Sequence, residues 1–174
     1  PGRVAKLSDF FEYDIPELFN RIGWDDFVKI NKPCYTNLVK LFYFNLYLSK
    51  DRTTLHSYVK RTHLELTMEN ICDFLHVLNT DTHIYFPNKG LFSTEFAYNP
   101  ADLLTITCDT IPVNQKPKIS NLNHVACIIN WLLCFNFIPR KGHYDDVHAL
   151  QLFVTYYIMS DIRLNLFKLI FEVM

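Results

Sequence analysis

Between residues 34 and 75 the spacing of apolar side chains changes period twice, and no other feature narrows the possible folds as much. Leu38, Leu41, Phe42 and Leu46 recur at intervals of three and four, which predicts an amphipathic helix over residues 34–48. After the polar run Ser49-Lys50-Asp51-Arg52 the repeat drops to two. Leu55, Ser57 and Val59, then His63-Leu64-Glu65-Leu66, alternate among β-forming residues, so two short strands are expected around Lys60-Arg61-Thr62. Thr67-Met68-Glu69-Asn70 then opens a helix, with Thr67 as its cap and Ile71, Phe74, Leu75 and Leu78 as its buried face.

The flanking segments read as helical. Ile15-Pro16-Glu17-Leu18-Phe19 carries proline at a helix start, where the missing N–H costs nothing, and Gly23 ends that turn. Trp24, Phe27 and Val28 continue an apolar stripe. Prolines 87, 100, 112 and 117 make 79–118 the least regular stretch, relieved by a short helix from Asn99-Pro100 through Thr107. Three helices are expected to close the chain. One is capped by Ser120 or Asn121 and runs to about Phe137, one is capped by Asp145 or Asp146 and runs to about Ser160, and the last starts near Ile162. With 49% hydrophobic residues over 174 positions, the chain can bury its own core. The expected fold is mainly α, a compact single-domain helical bundle with one small β-hairpin. Residues 1–20 form an N-terminal arm with a short helix ahead of a domain over 21–174.

Several function classes drop out. The four glycines are scattered, so no phosphate-cradling loop exists, and there is no nucleophile elbow, H-E-x-x-H pair, Walker lysine or Asp-Thr/Ser-Gly. The five cysteines are odd in number and lack a C-x-x-C pair, which predicts buried thiols in a reducing intracellular compartment rather than a disulfide scaffold. The longest apolar run, 125–138, holds Asn130 and Asn136 and falls short of the ~20 residues of a membrane span. The sequence starts at Pro1 rather than Met and stops inside an apolar helical pattern, so a piece of a longer protein is expected.

Charge is unevenly placed. From residue 8 to 27 six acidic residues face only Arg21, a net of −5; from 28 to 62 seven basic residues face only Asp51, a net of +6. Such runs are ordinarily solvated faces that offset each other or pack together. The functional alternative is a basic surface at Lys50, Arg52, Lys60 and Arg61 that meets nucleic-acid phosphate, with nearby aromatics for stacking. The preceding acidic stretch is expected to screen it. His143, Asp145 and His148 form the densest polar cluster and are candidate metal ligands, although two aspartates at a helix start also suit capping and the helix dipole. His124, Cys127 and Cys134 share roughly one helical face, where core packing is the expected role. Nothing marks Glu65 with Glu69 or Asp73 as an acid/base pair, so no catalytic residue and no cofactor are expected.

The order of the motifs is more telling than any one of them. Arg21-Ile22-Gly23-Trp24-Asp25-Asp26-Phe27 is followed by Leu38-Val39-Lys40-Leu41-Phe42-Tyr43-Phe44-Asn45-Leu46, then by Val59-Lys60-Arg61 and the Thr67 to Leu75 helix. Phe137-Ile138-Pro139, His143, and Asp161-Ile162-Arg163-Leu164-Asn165-Leu166-Phe167 complete the series. This order resembles the plant transposon protein domain of plant retroelement-derived proteins. Three family glycines are replaced here, by Arg61, Asp161 and Phe167, and Gln151 stands where the family usually has Arg. The resemblance implies a gag-like or host-adopted element protein with no established catalysis or cofactor. It also implies structural roles: Trp24 and Phe27 as a buried anchor, expected against the 34–48 helix, Phe42 and Tyr43 as a helix face, and Asn45 and Asn165 as side chains that bond backbone. The reading is therefore a non-enzymatic domain for protein assembly or interaction, with a protein partner or self-association. Nucleic-acid binding through 28–62 is the alternative, and a metal-dependent enzyme stands third. No membrane contact and no small-molecule substrate are expected.

Overall fold

Local signals at the N-terminus act as the sequence suggests. Pro16 lies in the first turn of helix α1 (Ile15–Arg21), and Gly23 closes that turn in the left-handed region at φ 75°. A 3-10 stretch, Leu7–Tyr13, leads into α1, and the short α2 (Asp25–Val28) follows. The computed structural model describes residues 7–30, 33–51, 53–77, 100–112, 116–137 and 145–165.

The core is built on helix α7 (Ala149–Met159), in which every residue from Gln151 to Ile158 is buried. Helices α5 (Pro100–Thr107), α6 (His124–Leu132) and α1 pack against it. Leu103 and Leu104 come from α5, Ala126, Ile129 and Leu132 from α6, and Ile15 and Phe19 from α1. Trp24 is 1% exposed, with its ring centroid 6.5 Å from that of Phe19. Helix α4 (Met68–Leu75) adds Cys72, and Ile71 and Leu75 pack on the same cluster. The core thus includes Leu7, Ile15 and Phe19 from the stretch ahead of residue 21.

A second unit stands beside this core. Helix α3 (Thr36–Phe44) lies on an antiparallel sheet of three strands, β1 (Tyr47–Leu48), β2 (Leu55–Val59) and β3 (Thr62–Leu66), in the order β1-β2-β3. Register runs from Leu48↔Leu55 and Tyr47↔His56 on one side of β2 to Leu55↔Leu66 and Val59↔Thr62 on the other. Alternation puts Leu55 and Ser57 under α3, where both are buried, and the Ser57 hydroxyl donates to the Phe42 carbonyl at 2.8 Å. A mainly helical fold with a small antiparallel sheet is what these elements form.

Several expectations need correction. The 34–48 helix stops at Phe44. There the Asn45 Nδ2 donates to the Leu41 carbonyl at 3.0 Å and to the Tyr58 carbonyl at 2.7 Å, which ties the helix end to β2 and frees Tyr47–Leu48 to pair as a third strand. The single hairpin is therefore a three-stranded sheet. Trp24 and Phe27 join the core cluster around α7, which includes no residue of α3, so α3 is not the surface they anchor. Thr67 does cap α4, accepting from the Asn70 N–H at 3.3 Å, but Phe74 on that helix is 72% exposed; Leu78 lies outside the described residues. The cap of α6 is Asn123 rather than Ser120 or Asn121, which sit in a preceding 3-10 turn. The helix then continues toward Phe137 with a π turn, Leu133–Phe137. The cap position of α7 is His148, with no side-chain bond, rather than either aspartate. Ile162 to Asn165 are not helical, and the rest of the helix expected there lies outside the described residues.

Two of these local devices yield measurable outcomes. The Asn123 Oδ1 accepts from the Ala126 N–H at 2.9 Å while its Nδ2 donates to the Ile106 carbonyl at 2.7 Å, joining α6 to the end of α5. Asn123→Ala removes both bonds and is expected to lower stability by about 1–2 kcal/mol in urea unfolding. The β2–β3 turn has only Lys60 and Arg61 between the strands, at φ 48° and 71°. Positive φ at both positions is the mirror-image turn that matches strand twist, and it normally carries Asn-Gly. A left-handed non-glycine residue costs roughly 1–2 kcal/mol, and glycine's greater freedom in the unfolded chain returns part of that. Arg61→Gly should therefore raise unfolding stability by about 0.5–1 kcal/mol.

Candidate functional site

Helix α3 carries apolar side chains at Leu38, Val39, Leu41, Phe42, Tyr43 and Phe44, yet it has no buried residue. Leu38 and Phe42, one turn apart, are half-buried on the sheet side. Tyr35, Val39 and Tyr43 repeat every fourth residue on the outward side at 66%, 41% and 54% exposure, and Phe44 beside them is 87% exposed. Lys40 stands exposed in the middle of this face. A helix apolar over most of its circumference is normally buried, whereas this one keeps its outward apolar side chains exposed.

The N-terminal face has the opposite charge. Arg21 pairs with Glu17 at 3.4 Å, and Lys29 pairs with Asp25. Asp9, Glu12, Asp14 and Asp26 are exposed and make no ion pair among the described residues. Phe11 stands among them at 76% exposure. Among the described residues the local Lys29–Asp25 pair is the one ion pair that links this acidic segment to the basic one, so the expected screening has no direct contact behind it at Lys50, Lys60 or Arg61.

The basic residues do not form one patch. Lys50 lies in the turn after β1, while Lys60 and Arg61 form the turn at the far end of β2; Arg52 lies outside the described residues. Five residues of strand separate the two ends, about 17 Å at roughly 3.4 Å per residue. Beside Lys50, hydrogen bonds from Ser49 and Thr53 hold the Asp51 carboxyl below the usual aspartate range. Between the two ends lies a row of rings, of which Tyr47 and Tyr58 are among the aromatics that the sequence offers for stacking, while the two histidines between them are not. Tyr47 and His56 have centroids 5.1 Å apart, His56 and His63 5.2 Å, and His63 and Tyr58 4.8 Å. His56 Nδ1 and His63 Nε2 share a hydrogen bond at 3.2 Å with the rings only 6° from parallel. All four stand on the sheet face away from α3, because Leu55 and Ser57 occupy the other one. Alternation in β2 and β3, with a two-residue turn fixing register, was the signal for it.

The remaining candidates are not gathered into a site. His143 lies outside the described residues. Asp145 and Asp146 are exposed and meet residues 117–119 through backbone: the Asp145 carbonyl accepts from the Ile119 N–H at 3.0 Å, and Asp146 bridges Lys118. His148 is exposed at the head of α7. Among the described residues no three His, Cys, Asp or Glu side chains converge as a metal-binding group. His124 packs on the Tyr13 ring with centroids 4.9 Å apart, and Cys134 accepts from Gln151 Nε2 at 3.1 Å. Burial pushes the Cys72, Cys108 and Cys127 thiols up, which suppresses the reactive thiolate; Cys34 is exposed. Phe42 and Tyr43 meet edge to face at 5.4 Å, and Asn165 is 1% exposed. Among the described residues no helix is long and apolar enough to cross a membrane. No protein-family model matches the chain, and no curated protein or solved structure matches it.

Proposed function

We propose that this chain is a non-enzymatic assembly domain of the retroelement-derived kind, and that it binds further copies of itself head to tail. The outward face of α3 on one copy meets the acidic N-terminal face of the next. The observation that carries this reading is the bare face of α3, where Tyr35, Val39, Tyr43 and Phe44 lie open around Lys40. A second copy is the occupant that the charges favour, because exposed Phe11 is flanked in sequence by Asp9, Glu12 and Asp14, exposed carboxylates with no ion pair among the described residues, which complement Lys40 among aromatics. Two different patches meeting make a heterologous contact, which grows into rings or open chains rather than stopping at a symmetric dimer.

The retroelement resemblance has its own support in the backbone. Arg61 and Asp161 stand where the family carries glycine, and they take φ 71° and 57°, the region glycine favours. Phe167, the third replaced glycine, lies outside the described residues. Sedimentation velocity over a concentration series tests the assembly reading. Oligomers should grow with concentration and shrink as salt rises, since rim charges are screened at high ionic strength. A single species of monomer mass at every concentration would end it.

A further inference from the structure

The sheet face opposite α3 has no part in the proposed assembly contact, and its chemistry differs. Tyr47 and Tyr58 are 48% and 51% exposed at the two ends of the ring row, with His56 and His63 joined edge to edge between them. The ring planes change by only 19°, 6° and 34° from neighbour to neighbour, so the rings run nearly parallel, with the exposed tyrosines at the two ends of the row. Beyond its ends stand Lys50 on one side and Lys60 with Arg61 on the other. We propose that this face binds a short single-stranded nucleic-acid segment, its bases stacked on the Tyr47–His56–His63–Tyr58 rings and its phosphates held at Lys50 and at the Lys60–Arg61 turn.

The arrangement suits a single strand for physical reasons. Bases offer π-faces to exposed aromatic rings only when they are unpaired, and an open sheet face is wide enough for about two or three of them. Cations at both ends, rather than beside the rings, leave the middle to the bases and draw the backbone across the strands. Glu65, which shares this face opposite His56, directs phosphates away from the β3 edge and toward the two turns. Stacking surfaces of this kind tolerate sequence, so little base preference is expected. Three phosphate contacts give a salt slope of about 2, a loss of roughly fifteenfold between about 50 and 200 mM salt.

The test is fluorescence anisotropy with the full chain and fluorescein-labelled mixed-sequence RNA and DNA oligonucleotides of about eight nucleotides, beside a duplex of the same sequence. Single strands should bind at low salt with that slope, and the duplex much more weakly. Tyr47→Ala with Tyr58→Ala should weaken binding about tenfold or more per ring, while Tyr47→Phe with Tyr58→Phe retains it. If the alanine pair fails to fold, by circular dichroism, Lys50→Gln with Lys60→Gln and Arg61→Gln takes its place and should remove most of the affinity. Phe44→Asp, on the other side of the sheet, should leave oligonucleotide binding unchanged, which separates this site from the assembly reading. Absence of binding at low salt, equal binding of the duplex, or a folded alanine pair or glutamine triple variant that binds like the parent would each overturn the proposal.

Discussion

Trp24→Ala should cost about 3–5 kcal/mol of unfolding stability, the range for truncating a large buried aromatic. The indole is 1% exposed and lies against Phe19 in the cluster that surrounds α7. Its loss leaves a cavity among Ile15, Ile22 and their neighbours, whose backbone is fixed by α1 and by the Gly23 cap. For a chain of this size each kcal/mol is worth roughly 2–4 °C in Tm, so the melting temperature should fall by about 6–20 °C. Urea unfolding followed by circular dichroism reads this directly. A change below about 1 kcal/mol would mean that Trp24 does not belong to the core described here, since surface substitutions ordinarily stay within about 0.5 kcal/mol.

Phe44→Asp should do the reverse. The ring is 87% exposed, so unfolding stability should move by no more than about 0.5 kcal/mol. Self-association, however, should weaken about thirtyfold or more, as expected when a central aromatic of an interface is replaced by a charge worth at least about 2 kcal/mol. The carboxylate also sits beside Lys40 and faces the carboxylates of the next copy, so like charges meet where an apolar contact was lost. Sedimentation equilibrium on the variant and the parent measures the shift. Two large effects on two different observables thus separate the residues that hold the fold from those that present it.

How much of this was legible in the sequence depended on the range of the interaction. Pro16 with Gly23, Thr67 before α4, Pro100 at the first position of α5 and the alternation over 55–66 each encode their structure within a few residues, and each lies where its chemistry suggests. The third strand was not legible, because two residues are too few to display a period and Tyr47–Leu48 owes its state to pairing with Leu55–His56. The end of α3 depended on Asn45 reaching the Tyr58 carbonyl thirteen residues on. The cap of α6 was ambiguous locally, since Ser120, Asn121 and Asn123 are all good caps and only the bond to Ile106 favours the last.

The surfaces were legible in part. Counting charges found the acidic and basic segments, but Lys50 and the Lys60–Arg61 turn, close in sequence, are held apart by the length of β2. The amphipathic pattern of α3 gave the helix and not its surroundings. Leu38 and Phe42 do face the sheet, yet the sheet is too small to cover the rest.

Head-to-tail assembly is most directly tested by mixing two disabled copies. Phe11→Asp spoils the acidic face and Phe44→Asp spoils the α3 face, and both rings are exposed enough to change without unfolding the chain. Each variant alone should sediment as a monomer where the parent forms larger species. Mixed in equal amounts, they retain one intact α3 face on the first and one intact acidic face on the second, so they should form a 1:1 dimer that cannot grow. Monomers persisting in the mixture while the parent still assembles, or either variant assembling alone as the parent does, would contradict the account.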